Sequence, residues 1–218
     1  MKKLKRLIGY LLIICSSTVA LAMLTDHMYI FEGIKQAWLK GDTSGNIDDL
    51  QYAIDTRVLS PTDPSPWAEA EDMNSFELSE STLNYMEGEE IASFLVIKND
   101  TILFEKYWLG HNEKTLSNSF SMAKTVVAMA IGLAVEEGLI DVKALVSTYL
   151  PRFKDGLGET LTVEHLLQMR SNIPFGESYT NPFGFPAKAY YKADNRALLN
   201  PYRPISTPGS IWEYQSGN

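Results

Sequence analysis

Residues 119–138 read Ser-Phe-Ser-Met-Ala-Lys-Thr-Val-Val-Ala-Met-Ala-Ile-Gly-Leu-Ala-Val-Glu-Glu-Gly, and the reading of this stretch decides the fold. From Met122 to Val135 the side chains are almost wholly apolar, which predicts a helix closed by Gly138 as its C-cap. Lys124 is the sole charge between Ser121 and Val135. A helix apolar on every side is expected inside a globular core. An unpaired ammonium is costly there, and the usual escape is a depressed pKa that leaves the amine neutral. Residues i and i+3 share a helix face, so the Lys124 amine can accept the proton of the Ser121 hydroxyl. The first helical turn disfavours the ammonium further and offers free N–H groups, that of Ser121 among them, to a developing oxyanion. The Ser-x-x-Lys pattern is weak by itself, since a chain of this length holds about one such match by chance. The blander alternative is a lysine that snorkels to the surface beside a serine that only caps the helix.

Working towards the N-terminus, Ile91 to Ile97 and Thr101 to Trp108 are two β-rich runs joined by Lys98-Asn99-Asp100, a hairpin with its turn at Asn99-Asp100. Working towards the C-terminus, Thr162 caps a predicted helix over Val163 to Arg170. From Ser171 to Thr207 the chain is rich in Pro, Gly, Asn and Tyr with little periodicity, more typical of a substrate-binding wall than of a linker. Tyr214-Gln215-Ser216 follows on an extended segment. A phenol and a hydroxyl two residues apart then point the same way, and a tyrosine near a neutral lysine can pass a proton to a leaving group. With 11 tyrosines in the chain, that signal has little weight alone. A hairpin needs further strands to make a stable sheet, so the sequence reads as truncated at its C-terminal end.

The first 24 residues form a targeting segment. Lys2, Lys3, Lys5 and Arg6 precede Leu7 to Leu24, an 18-residue run without a charge. Ala20-Leu21-Ala22 fits a cleavage site, and the same run is just long enough for an uncleaved membrane anchor. Either way the body is exported, periplasmic or membrane-tethered, because the basic flank stays in the cytoplasm. A lipoprotein reading through Cys15 is disfavoured by Ile14 in the preceding position. Residues 25–66 form a connector and linker. Met28, Ile30, Phe31, Ile34 and Trp38 stand at helical spacing, Gly41 to Asp49 reads as a loop, and the proline-bearing stretch from Ser60 to Pro66 as a rigid extended linker. Residues 67–218 are expected to form the folded domain that carries Ser121, Lys124 and Tyr214.

The formal net charge is -8, and without the basic leader the body carries 15 basic and 27 acidic residues. Such a surface repels nucleic acid and anionic lipid. Cys15 is the only cysteine, so there is no disulfide within the chain and no Cys-type metal site. His27, His111 and His165 are scattered, Ser121 does not lie in a Gly-x-Ser-x-Gly setting, and no metal or phosphate-loop spacing occurs. His165, at a helix start, reads as packed or solvated rather than catalytic. Trp108, Tyr190 and Tyr191 are candidates for pocket lining or core packing, and Glu87, Glu89 and Glu90 for a solvated end.

Taken in order, the motifs resemble the β-lactamase-related serine hydrolases: class C β-lactamases, DD-peptidases and their esterase and amidase relatives. Within that group the chain is most similar to 6-aminohexanoate-dimer (nylon oligomer) hydrolases. The resemblance runs over about residues 90–218, through the hairpin, Ser119 to Lys124, Val135 to Ile140, Tyr149-Leu150-Pro151, His165 to Ser171 and Tyr214-Gln215-Ser216. It implies an α/β (α+β) fold of β-lactamase/transpeptidase type, an antiparallel sheet flanked by helices plus a helical and loop subdomain, with the sheet incomplete in this chain. It implies an acylated Ser121, Lys124 as general base, Tyr214 as proton relay and Ser216 at the substrate, with no cofactor and no metal. The expected substrate is a small amide, ester or peptide, with no nucleic acid partner. Ser216 where class C β-lactamases carry Asn argues against a lactamase proper. Ser171-Asn172 departs from the usual Ser-Gly and is expected to reshape that turn. The family's later Lys-Thr-Gly-like strand, which supplies a second oxyanion N–H, is not in this sequence. A non-turnover penicillin-binding sensor or a catalytically dead, membrane-tethered homologue are the competing readings.

Overall fold

The computed structural model describes residues 2–52, 62–192 and 194–218. Its apolar leader is one helix, α1 (Lys2–Leu24), with no buried residue. At about 1.5 Å per residue its 23 residues reach the ~30 Å of a bilayer's hydrocarbon core, so by length and composition it can cross a membrane. The chain divides into two compact units, Leu50–Asn118 and a second made of Met1–Asp49 with Ser119–Asn218.

In the Leu50–Asn118 unit the alternating runs pair as expected. β2 (Ser93–Lys98) and β3 (Thr101–Tyr107) form an antiparallel hairpin in which Lys98 faces Thr101 and Ser93 faces Tyr107. Asn99 and Asp100 both take positive φ, 52° and 59°. Two such residues make the turn whose twist matches that of the flanking strands, and Asn and Asp tolerate it. A short strand, β1 (Ala68–Glu69), adds parallel to β3, giving the order β1-β3-β2. α3 (Glu80–Gly88) starts on Ser79, whose hydroxyl accepts the Thr82 N–H, and places Glu87 in its exposed last turn. Phe104 is buried and stacks on Phe76 at 4.8 Å. Part of the expected 60–66 linker, residues 60 and 61, lies outside the described residues.

The other unit is helical. Its core gathers Val146, Phe153, Leu161, Val163, Ile173, Phe175, Phe185 and Leu198. Val146 donates its N–H to Leu161 O at 2.8 Å, which brings two short turns against the next helix, α5. α5 (Val163–Leu167) opens on a reciprocal cap: Thr162 Oγ accepts the His165 N–H and His165 Nδ1 accepts the Thr162 N–H. His165 is thus a packed capping residue, its pKa lowered chiefly by burial. The helix stops short of the expected Arg170 because Met169 turns into the left-handed region at φ 57°. Within 171–207, expected as loop, two short helices appear, α6 (Phe185–Tyr191) and α7 (Asn195–Leu199). Pro in the first turn of α6 and the Asp194 carboxylate accepting the Ala197 N–H at 2.8 Å start them. The connector's apolar spacing forms α2 (Tyr29–Gln36), which packs on α6.

α4 (Ala123–Glu136) is the helix expected from the opening stretch, but it is not buried. Val126 and Met129 are each 66% exposed and Leu133 is 61% exposed. The reason is architectural: among the described residues this unit contains no strand, so no sheet is there to receive an all-apolar helix. Core and helix should therefore respond differently to truncation. Leu161, fully inaccessible, should lose about 2–5 kcal/mol of stability as Leu161→Ala. Val126→Ala should change it by no more than about 0.5 kcal/mol. Denaturant midpoints measured side by side check the contrast.

Candidate active site

Ser121 does not lie within α4 but in the 3-10 turn Phe120–Met122 that leads into it. The turn is entered through Phe120 at φ 42°, a conformation that costs a bulky L-residue free energy and persists only where surrounding contacts enforce it. One such contact is Tyr190 of α6, whose ring lies parallel to that of Phe120 with centroids 5.7 Å apart. The nucleophile candidate is thus held by a strained residue clamped on an aromatic face.

Helical spacing delivers Lys124 to the same place, its Nζ 2.9 Å from Ser121 Oγ and 3.2 Å from Ser216 Oγ. The Tyr214 hydroxyl lies 2.5 Å from Ser121 Oγ across 93 residues of sequence, and Lys124 Nζ sits 5.0 Å from the Tyr214 ring centroid. Lys124 and Tyr214 therefore meet at the Ser121 hydroxyl, and Ser216 joins the cluster through Lys124. The Tyr214 phenol is drawn below its ordinary pKa, first by its hydrogen bond to Ser121, then by Lys124.

The Tyr214–Ser216 segment, expected to be extended, belongs to no strand, and Ser216 opens a turn closed by the Asn218 N–H to Gln215 O at 3.3 Å. It is fixed instead by the 169–177 segment, through Glu213 N–H to Met169 O at 3.0 Å and Gly176 N–H to the buried Gln215 Oε1 at 2.8 Å. Gly217 closes this packing: a Cβ there would lie 2.4 Å from the Phe175 ring, so only glycine lets the backbone approach so closely. Asn172 takes φ 56°, the left-handed conformation that glycine adopts at no cost. Its side chain then donates to Thr207 O and to Ser210 Oγ at 2.7 Å, so the substitution keeps the turn and adds cross-links.

Two residues escaped the sequence reading. Glu177 accepts the Ser216 N–H and, at 3.3 Å, the Ser216 hydroxyl, and its hydrogen bond pushes the Tyr179 phenol up. Its signal was there: it is the only charge between Arg170 and Lys188. Phe120 gave none, because a left-handed Phe is invisible in composition. Tyr190 and Tyr191 do line a cavity, of about 620 Å³, that also receives Ser121, Lys124 and Ser216. Trp108 belongs to the other unit, where Lys106 Nζ lies 5.3 Å from its ring centroid.

The chain can now be set beside known proteins. A curated 6-aminohexanoate-dimer hydrolase from Paenarthrobacter ureafaciens is 27% identical over 90 residues, 41% of this chain and 23% of that protein. A solved Bacillus anthracis structure, provisionally named a 6-aminohexanoate-dimer hydrolase, shares the fold with a TM-score of 0.52 at 21% identity. That likeness covers 62% of this chain and 39% of the other. The chain thus spans about a quarter of the curated relative's length and about two fifths of the solved one. Residues 84–218 match the family model described as Beta-lactamase. That match takes in more than half of the sequence and every residue of the Ser121 cluster, and the chain belongs to the Beta-lactamase family.

Proposed function

We propose that the protein is a serine hydrolase that cleaves an amide or ester through an acyl-enzyme on Ser121. The observation that supports this reading is the pair of contacts on one hydroxyl, Lys124 Nζ at 2.9 Å and Tyr214 Oη at 2.5 Å. The Lys124 amine takes the Ser121 proton as Oγ attacks the substrate carbonyl carbon. The negative charge that develops on the carbonyl oxygen is met by the Ser121 N–H. Collapse of the tetrahedral adduct breaks the C–N or C–O bond, and the leaving group receives its proton through Tyr214. Water then attacks the ester so formed, giving its proton back along the same path and releasing the acid. Ser216 binds at the substrate and, held by Glu177, keeps the Lys124 amine in line. The basic residues at the start of α1 and its apolar length support export, with the hydrolase facing away from the cytoplasm.

A fluorophosphonate probe applied to the full chain should form one adduct, on the peptide that carries Ser121, and Ser121→Ala should abolish it. Labelling elsewhere, or none, would sink the proposal. An adduct with an ester substrate that forms but never turns over would point instead to a penicillin-binding sensor.

A further inference from the structure

The cavity that receives Ser121 has a wall that the family match does not cover. Ile30, Ile34 and Trp38, with Gly45 beyond them, line it from the connector, upstream of the matched residues 84–218. The wall is packed, not draped. A Cβ on Gly45 would lie 2.9 Å from the Tyr190 ring, so only glycine allows the connector to sit against that tyrosine. The buried Asp49 carboxylate lies 3.5 Å from the Tyr190 hydroxyl and also accepts the Asn46 N–H at 2.7 Å. Tyr190 is the residue on which Phe120 stacks, so the connector, the aromatic pair and the nucleophile form one continuous contact chain. Just after α1, Asp26 pairs with Lys192 and the His27 ring meets Phe183 edge-on at 5.8 Å, fastening the start of the wall as well.

Chemistry on the cavity's surface is one-sided. Among the described residues Lys124 is the only charged side chain that lines it, and Lys124 is already engaged with Ser121 and Ser216. The other lining side chains are apolar, hydroxyl-bearing or amides, and the nearest carboxylates, Asp49 behind Tyr190 and Glu177 behind Ser216, are already engaged, so a charged substrate arm would have to compete for them. Burying such a charge unpaired is strongly unfavourable. Tyr214, the proposed proton donor to the leaving group, reaches Ser121 Oγ without lining the cavity, an arrangement that suits the acyl arm on the cavity side.

We propose that the connector wall is a specificity element of the Ser121 site, selecting amides and esters whose acyl arm is a neutral apolar chain. The inference rests on the serine hydrolase reading and narrows it to a substrate class. A cavity of about 620 Å³ has the size of a ligand pocket and can bury such an arm along its length.

The test uses the full chain in lipid nanodiscs and p-nitrophenyl esters from acetyl to octanoyl, with the 6-aminohexanoyl ester set against the hexanoyl. For the unaltered chain kcat/KM should rise by roughly threefold per added methylene, the factor expected for a CH₂ moved from water into an apolar site. The hexanoyl ester should exceed its amino-terminated counterpart by at least about tenfold. Ile34→Asp and, separately, Trp38→Ala should each lower the octanoyl-to-acetyl ratio, by roughly tenfold or more for the aspartate. Within each variant the ratio cancels differences in folded fraction. A flat chain-length series, a preference for the amino-terminated ester, or a ratio kept in both variants would overturn the wall while leaving Ser121 acylation standing. No acylation by any ester in the series would overturn the hydrolase reading and this inference with it.

Discussion

Lys124→Met should lower kcat/KM for ester hydrolysis by roughly a thousandfold, within the 10²–10⁴ that a positioned proton acceptor contributes. Methionine keeps much of the length and removes the amine, so the Ser121 hydroxyl loses its 2.9 Å partner and keeps its proton during attack. Lys124→Arg makes the decisive comparison. A guanidinium can still hydrogen bond to Ser121 and Ser216, but it has no lone pair for a proton and stays charged at any working pH. If Lys124 acts as base, the arginine variant is as slow as the methionine one. If it serves only as a positive charge near Ser121, arginine restores most of the rate. Burst amplitudes with a p-nitrophenyl ester separate the two, since acylation is the step affected.

Tyr214→Phe should cost roughly a hundredfold, again within the range for one acid–base group, and more with amides than with activated esters. An alkylamine leaves only when protonated, whereas p-nitrophenolate leaves unaided. The pH profile carries a second signature. To donate, Tyr214 must hold its proton, so kcat/KM falls on the alkaline side as the phenol ionises. Its hydrogen bond to Ser121 and the neighbouring Lys124 draw that ionisation below the ordinary phenol value. The fall should therefore begin below pH 10 in the unaltered enzyme and be missing in Tyr214→Phe. An unchanged alkaline arm in the phenylalanine variant would assign that ionisation to another group.

What could be read before any coordinates follows the range of the physics involved. The hairpin was legible because β-rich composition and an Asn-Asp turn are local, and both turn residues adopt the required positive φ. The α4 helix was equally legible, its burial not, since burial depends on what the rest of the unit can offer. α6 and α7, at seven and five residues, are too short to show a period and hide in a stretch that reads as loop. In the site, Ser121 and Lys124 are one turn apart and declare themselves. Tyr214 and Ser216 sit more than ninety residues away in sequence, and their pattern, weak alone, drew its weight from the resemblance. Glu177 and the strained Phe120 act through contacts that no spacing encodes. The connector's apolar spacing predicted a helix without hinting that its residues face the nucleophile's cavity.

The exposure of α4 also has a colloidal consequence. Val126, Val127, Met129 and Leu133 turn an oil-like flank to the medium on the very helix that carries Lys124. Water gains from shedding that flank against anything apolar. A solution of this chain without lipid is therefore a solution of sticky particles, which cluster more readily as excluded salts such as sulfate are added. The element that arms the serine is also the one through which copies of the protein would find one another.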